Sequence, residues 1–276
     1  MAEVLYRRGP LAFYQGGDDW EELAGSAGDA RPVDDLDLVA VGLREVRFEG
    51  QLYKLEREGL YRFTVFPQRI RNLIALHDTR SPLPLLKALP RLQIHGNRHN
   101  KAPNLREKLK HEPWVSIYCG VVHKLFNDIL REHGFRAREI AVKTSQEHNT
   151  FDNGHCLQEV FFPEHRKWLL VDADIGVLFK DGERFLSAYE LLQQAREGRQ
   201  PQFVPLARKE VDPFFSDSAS GQEVNYVPWM RCQLSTDALK WAWYRRVFQN
   251  LTIHDGGRVN STEDTARLLR ECYAEQ

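Results

Sequence analysis

The sequence predicts an α+β fold, and three observations carry that prediction. From Val46 to Phe66 apolar and polar residues alternate at period two, as half-buried strands require. Between residues 113 and 133 the period changes. Val122, Leu125, Phe126, Ile129 and Leu130 recur at three- and four-residue steps, which places them on one helix face. Strand-like runs then return at 138–142, 155–162 and 168–172. The expected architecture is one central helix packed on an antiparallel sheet, with additions at both ends.

The chain opens, over residues 1–40, with an acidic segment. Asp18, Asp19, Glu21, Glu22, Asp29, Asp34, Asp35 and Asp37 face a single base, Arg31, over 16–37, and the stretch reads as an exposed, flexible leader. Residues 41–111 read as strands and helices packed on the core. Val46 and Phe48, Tyr53 and Leu55, then Tyr61, Phe63 and Val65 mark strands punctuated by Gly50 and Gly59, and Pro67 closes the last. Residues 68–111 are expected to be helical in pieces, because Pro82, Pro84 and Pro90 interrupt any long helix.

Residues 112–186 read as the chemical core. Gly134 stands where a helix C-terminal glycine belongs. Pro163 to Arg166 form a short polar connection, so the strands on either side should pair as a hairpin. Residues 187–276 read as a helical extension. Ser187-Ala-Tyr-Glu190 is a capping box for a helix to about Ala195, and Ser261-Thr-Glu-Asp264 resembles a second. A further helix is expected over 237–250, carrying Trp241, Trp243, Tyr244 and Phe248.

Composition narrows the partners. The chain has 276 residues, 42% hydrophobic content and a net charge of -1, which allows one sizeable core and selects no polyanion. The run from Lys87 to Lys110 is basic, with Glu107 its one acid and His95, His99 and His111 in or beside it. No nucleic-acid motif accompanies it, so a solvated basic face is the plainer reading and nucleic acid is disfavoured as a partner. The N-terminus lacks the apolar stretch of a secretory signal, and no run approaches the roughly 18 apolar residues of a membrane helix. A cytoplasmic protein with no membrane partner is the expectation. Cys119, Cys156, Cys232 and Cys272 are scattered and suggest no disulfide framework, which leaves room for a thiol kept for its reactivity.

Cys119 is the candidate. It opens the apolar run of the central helix, and helix N-terminal N–H groups together with a nearby imidazolium favour a thiolate. Gly120 removes side-chain bulk where a substrate carbonyl must approach. His155 and Asp172 fall on the two strands of the expected hairpin. An imidazole there can take the thiol proton and deliver one to a leaving amine, while the carboxylate holds the other ring nitrogen.

These residues resemble the core of the transglutaminase-like superfamily. The resemblance runs over about residues 112–180, through Cys119-Gly120, Gly134-Phe135-Arg136-Ala137-Arg138, Gly154-His155 with Glu159-Val160, and Trp168 ahead of Asp172. It departs where Cys156 and Leu157 follow the histidine in place of an aromatic, and where Ala173 replaces a frequent proline. The resemblance implies a papain-like core with Cys119 as nucleophile, His155 as acid/base and Asp172 as its orienter. It further implies acyl transfer at an amide or ester of a peptide, protein or small molecule, through a thioester, with water or an amine as acceptor. The triad supplies the nucleophile and the proton transfers, so no cofactor is implied.

Other readings accompany this one. Asp174 competes with Asp172 for His155, and is otherwise expected to bind backbone at the strand end. The Cys119 N–H is one oxyanion donor, and the Trp114 indole is available as a second, although it also suits the core. A zinc set of Cys119, His123, His155 and Cys156 is disfavoured, because adjacent strand residues point to opposite faces. Trp229, Trp241, Trp243 and Tyr244 line either the core or a cleft. A catalytically silent module that binds peptide or protein in the same cleft remains the alternative function.

Overall fold

The computed structural model describes residues 10–14, 20–65, 69–146, 153–206 and 235–274. Asp18, Asp19, Trp229 and Cys232 lie outside them.

The N-terminal strands are β1 (Leu11–Tyr14), β2 (Glu21–Glu22), β3 (Ser26–Ala27), β4 (Val39–Val41), β5 (Glu45–Phe48), β6 (Gln51–Lys54), β7 (Gly59–Val65) and β8 (Arg69–Leu76). They form one sheet in the order β2-β1-β7-β8-β4 and another in the order β3-β6-β5. Leu11, Phe13, Val46, Phe48, Tyr53 and Phe63 form a core with residues of both sheets. The alternation read in the sequence supplies these inward residues. Glu49 (φ 50°) and Gly50 (φ 80°) link β5 to β6 with the left-handed pair of dihedrals that a two-residue hairpin needs.

Two expectations change here. The segment 1–40 is not wholly a loose leader, since Leu11, Phe13, Val33, Leu36 and Leu38 are buried. Residues 69–76 are a strand, not helix. Leu73 and Ala75 face one core while Ile74 and Leu76 face another, so the strand lacks the polar alternation that would have disclosed it.

The chain continues through α1 (Leu83–Ala88), β9 (Gln93–His95), α2 (Leu105–His111), β10 (Val115–Ile117) and α3 (Cys119–Glu132). The expected helix from residue 113 therefore starts later. Val115 and Ile117 are β-branched, and their strand pairs in parallel with β9, so the helix opens at Cys119 itself. Gly134, at φ 85°, ends it. The basic segment is partly engaged within the fold: Arg106 meets Asp37 and Glu132, Lys110 meets Asp37 and Glu107, and Arg91 lies over the Trp20 ring.

Next come β11 (Ala137–Lys143), β12 (Gly154–Phe162), β13 (Lys167–Asp172), β14 (Val177–Asp181), β15 (Arg184–Phe185), α4 (Ala188–Glu197), β16 (Gln202–Pro205), α5 (Asp237–Val247), β17 (Asn250–Asp255), β18 (Arg258–Ser261) and α6 (Thr265–Cys272). The strands build one antiparallel sheet in the order β15-β14-β13-β12-β11-β17-β18, with β16 on β14. Residues 187–276 thus contribute strands as well as helices. The capping box at Ser187 and Glu190 forms as expected, whereas Ser261 caps a short 3-10 turn and Asp264 caps α6.

This sheet separates two cores. On one face Val160, Phe162, Leu169 and Val171 pack with Val122, Phe126 and Leu130 of α3, and with Leu60 and Ile74 of the N-terminal sheet. On the other face Ile140, Leu157, Leu170 and Phe179 pack with α4, α5 and α6. The fold is α+β, and the central helix lies on the sheet as the sequence predicts.

Candidate active site

Strand alternation decides which face carries which group. Leu157 and Leu170 belong to the core under α5, so His155 and Asp172, each two residues away, belong to that side. The contacts agree: the His155 ring meets the Trp243 ring edge-on at 5.0 Å, and the Tyr244 hydroxyl donates to Asp172 Oδ2 at 2.7 Å. Cys156, of opposite parity, turns toward α3, where a Cβ on Gly120 would lie 3.7 Å from its sulfur.

Cys119 reaches both. The β12–β13 ladder begins only at Gln158 opposite Val171, so His155, Cys156 and Leu157 are paired on the β11 side alone. The first turn of α3 stands at this parting of the strands. There the Cys119 thiol interacts with the His155 imidazole and with the Cys156 thiol. The premise that neighbouring strand residues diverge holds, yet both meet one sulfur because it sits beside the opening.

The three expected residues are brought together. His155 Nε2 is 2.7 Å from Asp172 Oδ2, with His155 and Asp172 both buried. Asp172 Oδ1 accepts from the backbone N–H of Asp174 at 3.0 Å and of Ile175 at 3.2 Å. These donors fix the carboxylate, and the carboxylate fixes the ring.

The electrostatics depart from expectation at the sulfur. Burial opposes charge on His155, but the charge and hydrogen bond of Asp172 hold its pKa well above 6.5, with Cys119 adding in the same direction. Burial likewise opposes the Asp172 carboxylate, and His155 outweighs it, so Asp172 stays below its usual 3.8. Cys119 was expected to be acidified. Instead its hydrogen bond to Cys156 and its burial push its pKa up, against the pull of His155. Cys156 moves down through the same contact. The contact between the two thiols eases ionisation of Cys156 and opposes that of Cys119. The resting arrangement is a thiol beside an imidazolium–carboxylate pair.

The remaining candidates are placed as follows. Gly120 follows Cys119 in the first turn, and a Cβ there would press on the Tyr118 ring at 3.1 Å, so the space it leaves is bounded by Tyr118 and Cys156. Trp114 is half-buried just ahead of β10. The Asp174 carboxylate is engaged by two side chains of β9. Its Oδ1 accepts from Gln93 Nε2 and its Oδ2 pairs with His95 Nδ1, both at 2.7 Å. An open groove of about 540 Å³ runs past this turn, lined by Asn100, Tyr118, Val121, Lys124 and Glu139 among others.

Sequence reasoning missed several members. The sequence places Tyr244 and Trp243 only in a core or cleft aromatic cluster and His95 only in a basic run, and it offers Cys156 as a departure from a pattern and as a disfavoured zinc ligand. No local signal links Tyr244, Trp243 or His95 to Cys119, because each arrives from a distant element.

His123, His155 and Asp172 also offer ligand atoms within 4.8 Å of one another, all buried. Burial holds the His123 pKa down to about 4, so its ring is neutral, as a metal ligand must be. The carboxylate fits poorly, however. Its two oxygens already accept from His155, Tyr244 and two backbone N–H groups, and a cation would have to displace one of them. The donor set suits an oriented His–Asp pair better than a metal cage.

No protein-family model, curated protein or solved structure matches this chain.

Proposed function

We propose that this protein is a cysteine-nucleophile acyl-transfer enzyme that acts on an amide or ester through a thioester on Cys119. One observation carries the reading. The thiol at the first residue of α3 interacts with an imidazole whose Nε2 is held by a buried carboxylate at 2.7 Å. The transglutaminase-like resemblance over residues 112–180 supports the same assignment, with Cys119 as nucleophile, His155 as acid/base and Asp172 as orienter. The Cys119 backbone N–H, left without a helical partner at the helix start, is a donor for the oxyanion. Loss of one proton from the thiol and imidazolium yields the reactive thiolate–imidazolium pair. The sulfur then attacks the carbonyl carbon, His155 gives its proton to the leaving group, and water or an amine takes the acyl group.

A second reading is a module that binds peptide or protein in the same cleft without turning it over. It is favoured by the contact with Cys156, which holds the Cys119 proton. Acyl trapping separates the two. Incubation with an activated ester, followed by peptide mass mapping, should place a hydroxylamine-labile acyl group on Cys119 and not on Cys272, and His155→Ala should abolish it. An unlabelled Cys119, or labelling indifferent to His155, would sink the enzymatic reading and leave the binding module.

A further inference from the structure

His95 reaches the nucleophile's end of α3 by topology. β9 runs parallel to β10 with His95 opposite Ile117, and β10 passes through Tyr118 directly into Cys119. Gln93 and His95 both grip Asp174, which is 1% exposed, and His95 itself is 7% exposed. The Asp174 N–H in turn donates to Asp172 Oδ1. Asp174 therefore links two His–Asp pairs, His95–Asp174 and His155–Asp172, bonding His95 through its carboxylate and Asp172 through its backbone N–H. Burying a second charged pair costs desolvation that apolar side chains would avoid, and such pairs beside a nucleophile mark functional groups.

We propose that His95 is a second cationic group of the site, an imidazolium clamped by Asp174 and Gln93 that stabilises negative charge on the Cys119 sulfur and on the oxygen of the carbonyl whose carbon that sulfur attacks. The inference rests on the acyl-transfer reading. In the first step the S–C bond forms and the carbonyl π pair moves onto oxygen. Its return expels the leaving amine, which takes its proton from His155 as the C–N bond breaks. His95 keeps its proton throughout and acts as a stationary counter-charge. The groups that set its charge come from three elements. Burial opposes the charge, Asp174 after β13 favours it by charge and hydrogen bond, Cys119 of α3 favours it, and His155 of β12 opposes it.

The test compares alkylation of Cys119 by anionic iodoacetate and neutral iodoacetamide in the wild type and in His95→Gln. Both reagents consume the same thiolate, so their rate ratio reports local charge and not the thiol pKa or the stability of the fold. The ratio should fall about tenfold on losing one nearby positive charge. An unchanged ratio, with Cys119 still reacting in a His155-dependent way, overturns the role of His95 and leaves acyl transfer standing. A wild-type Cys119 without His155-dependent reactivity overturns both. If His95→Gln does not fold, histidine ring 15N shifts of the wild type decide the matter: an imidazolium at residue 95 at pH 7 supports the proposal, and a neutral ring overturns it.

Discussion

Tyr244 and His155 share one oxygen. The phenol donates to Asp172 Oδ2 at 2.7 Å, and His155 Nε2 lies 2.7 Å from the same atom. A residue of α5 thus completes a pair formed by β12 and β13, and the far end of the chain is tied to the candidate site. Tyr244→Phe keeps the ring packing against Phe179 and Phe203 while removing that donor. It should lower stability by about 1.5–3 kcal/mol, the range for a hydrogen bond to a charged group. Urea unfolding measures this, and an unchanged midpoint would show that the hydroxyl contributes nothing.

The His155–Asp172 pair should make stability depend on pH in a defined window. His155 is raised above 6.5, so its contribution is complete below that pH and fades as pH climbs through the folded value. Asp172 is lowered from 3.8, so its contribution is complete above that pH and is lost as pH falls through its folded value. The pair is therefore fully effective between about pH 4 and 6.5. The stability difference between wild type and His155→Gln should be largest near pH 5 and shrink on both sides. A difference that is flat from pH 4 to 9 would contradict the raised imidazole.

Cys156 should restrain ionisation of Cys119. Its contact is the largest influence holding the Cys119 proton, so Cys156→Ala should acidify Cys119. Alkylation of Cys119 at pH 7 should quicken by about tenfold, the gain in thiolate from a shift of one pKa unit. A slower or unchanged Cys119 would mean that the neighbouring thiol assists ionisation or stands apart from it.

Arg138 and Glu159 should be the costliest pair to break. Arg138 Nε and Nη2 bond Glu159 Oε2 at 2.8 and 2.6 Å, and Arg138 Nη1 donates to the Cys272 carbonyl at 3.0 Å. Glu159 Oε1 accepts from the Ala188 N–H at 2.6 Å and from the Tyr273 hydroxyl at 2.8 Å. The network joins the sheet centre to the start of α4 and to the chain just after α6. Glu159→Ala takes from a buried guanidinium its bonded carboxylate, leaving it the Cys272 carbonyl and Asp255 at 3.9 Å, and should cost about 3–5 kcal/mol. Denaturant unfolding reads this directly, and a loss below about 1 kcal/mol would place the pair among weak surface bridges.

The sequence by itself determined the elements whose signals are local. The apolar stripe of α3 with Gly134 behind it, the hairpin around Pro163 and the capping box at Ser187 are each written in a few neighbouring residues. So were the residue types of the candidate site, because Cys119, His155 and Asp172 sit on elements that the same pattern places against one another. Where two cores sandwich a segment the local signal vanishes, and β8 was invisible for that reason. Only the tertiary structure decided the charge state of the site. Whether Cys119 is acidified depends on Cys156 and burial, and the orientation of Asp172 depends on Tyr244. The fate of Asp174 depends on Gln93 and His95. Hydrogen bonds and charge interactions act over a few ångströms between residues tens of positions apart, so the fold had to bring those atoms together before their chemistry could be read.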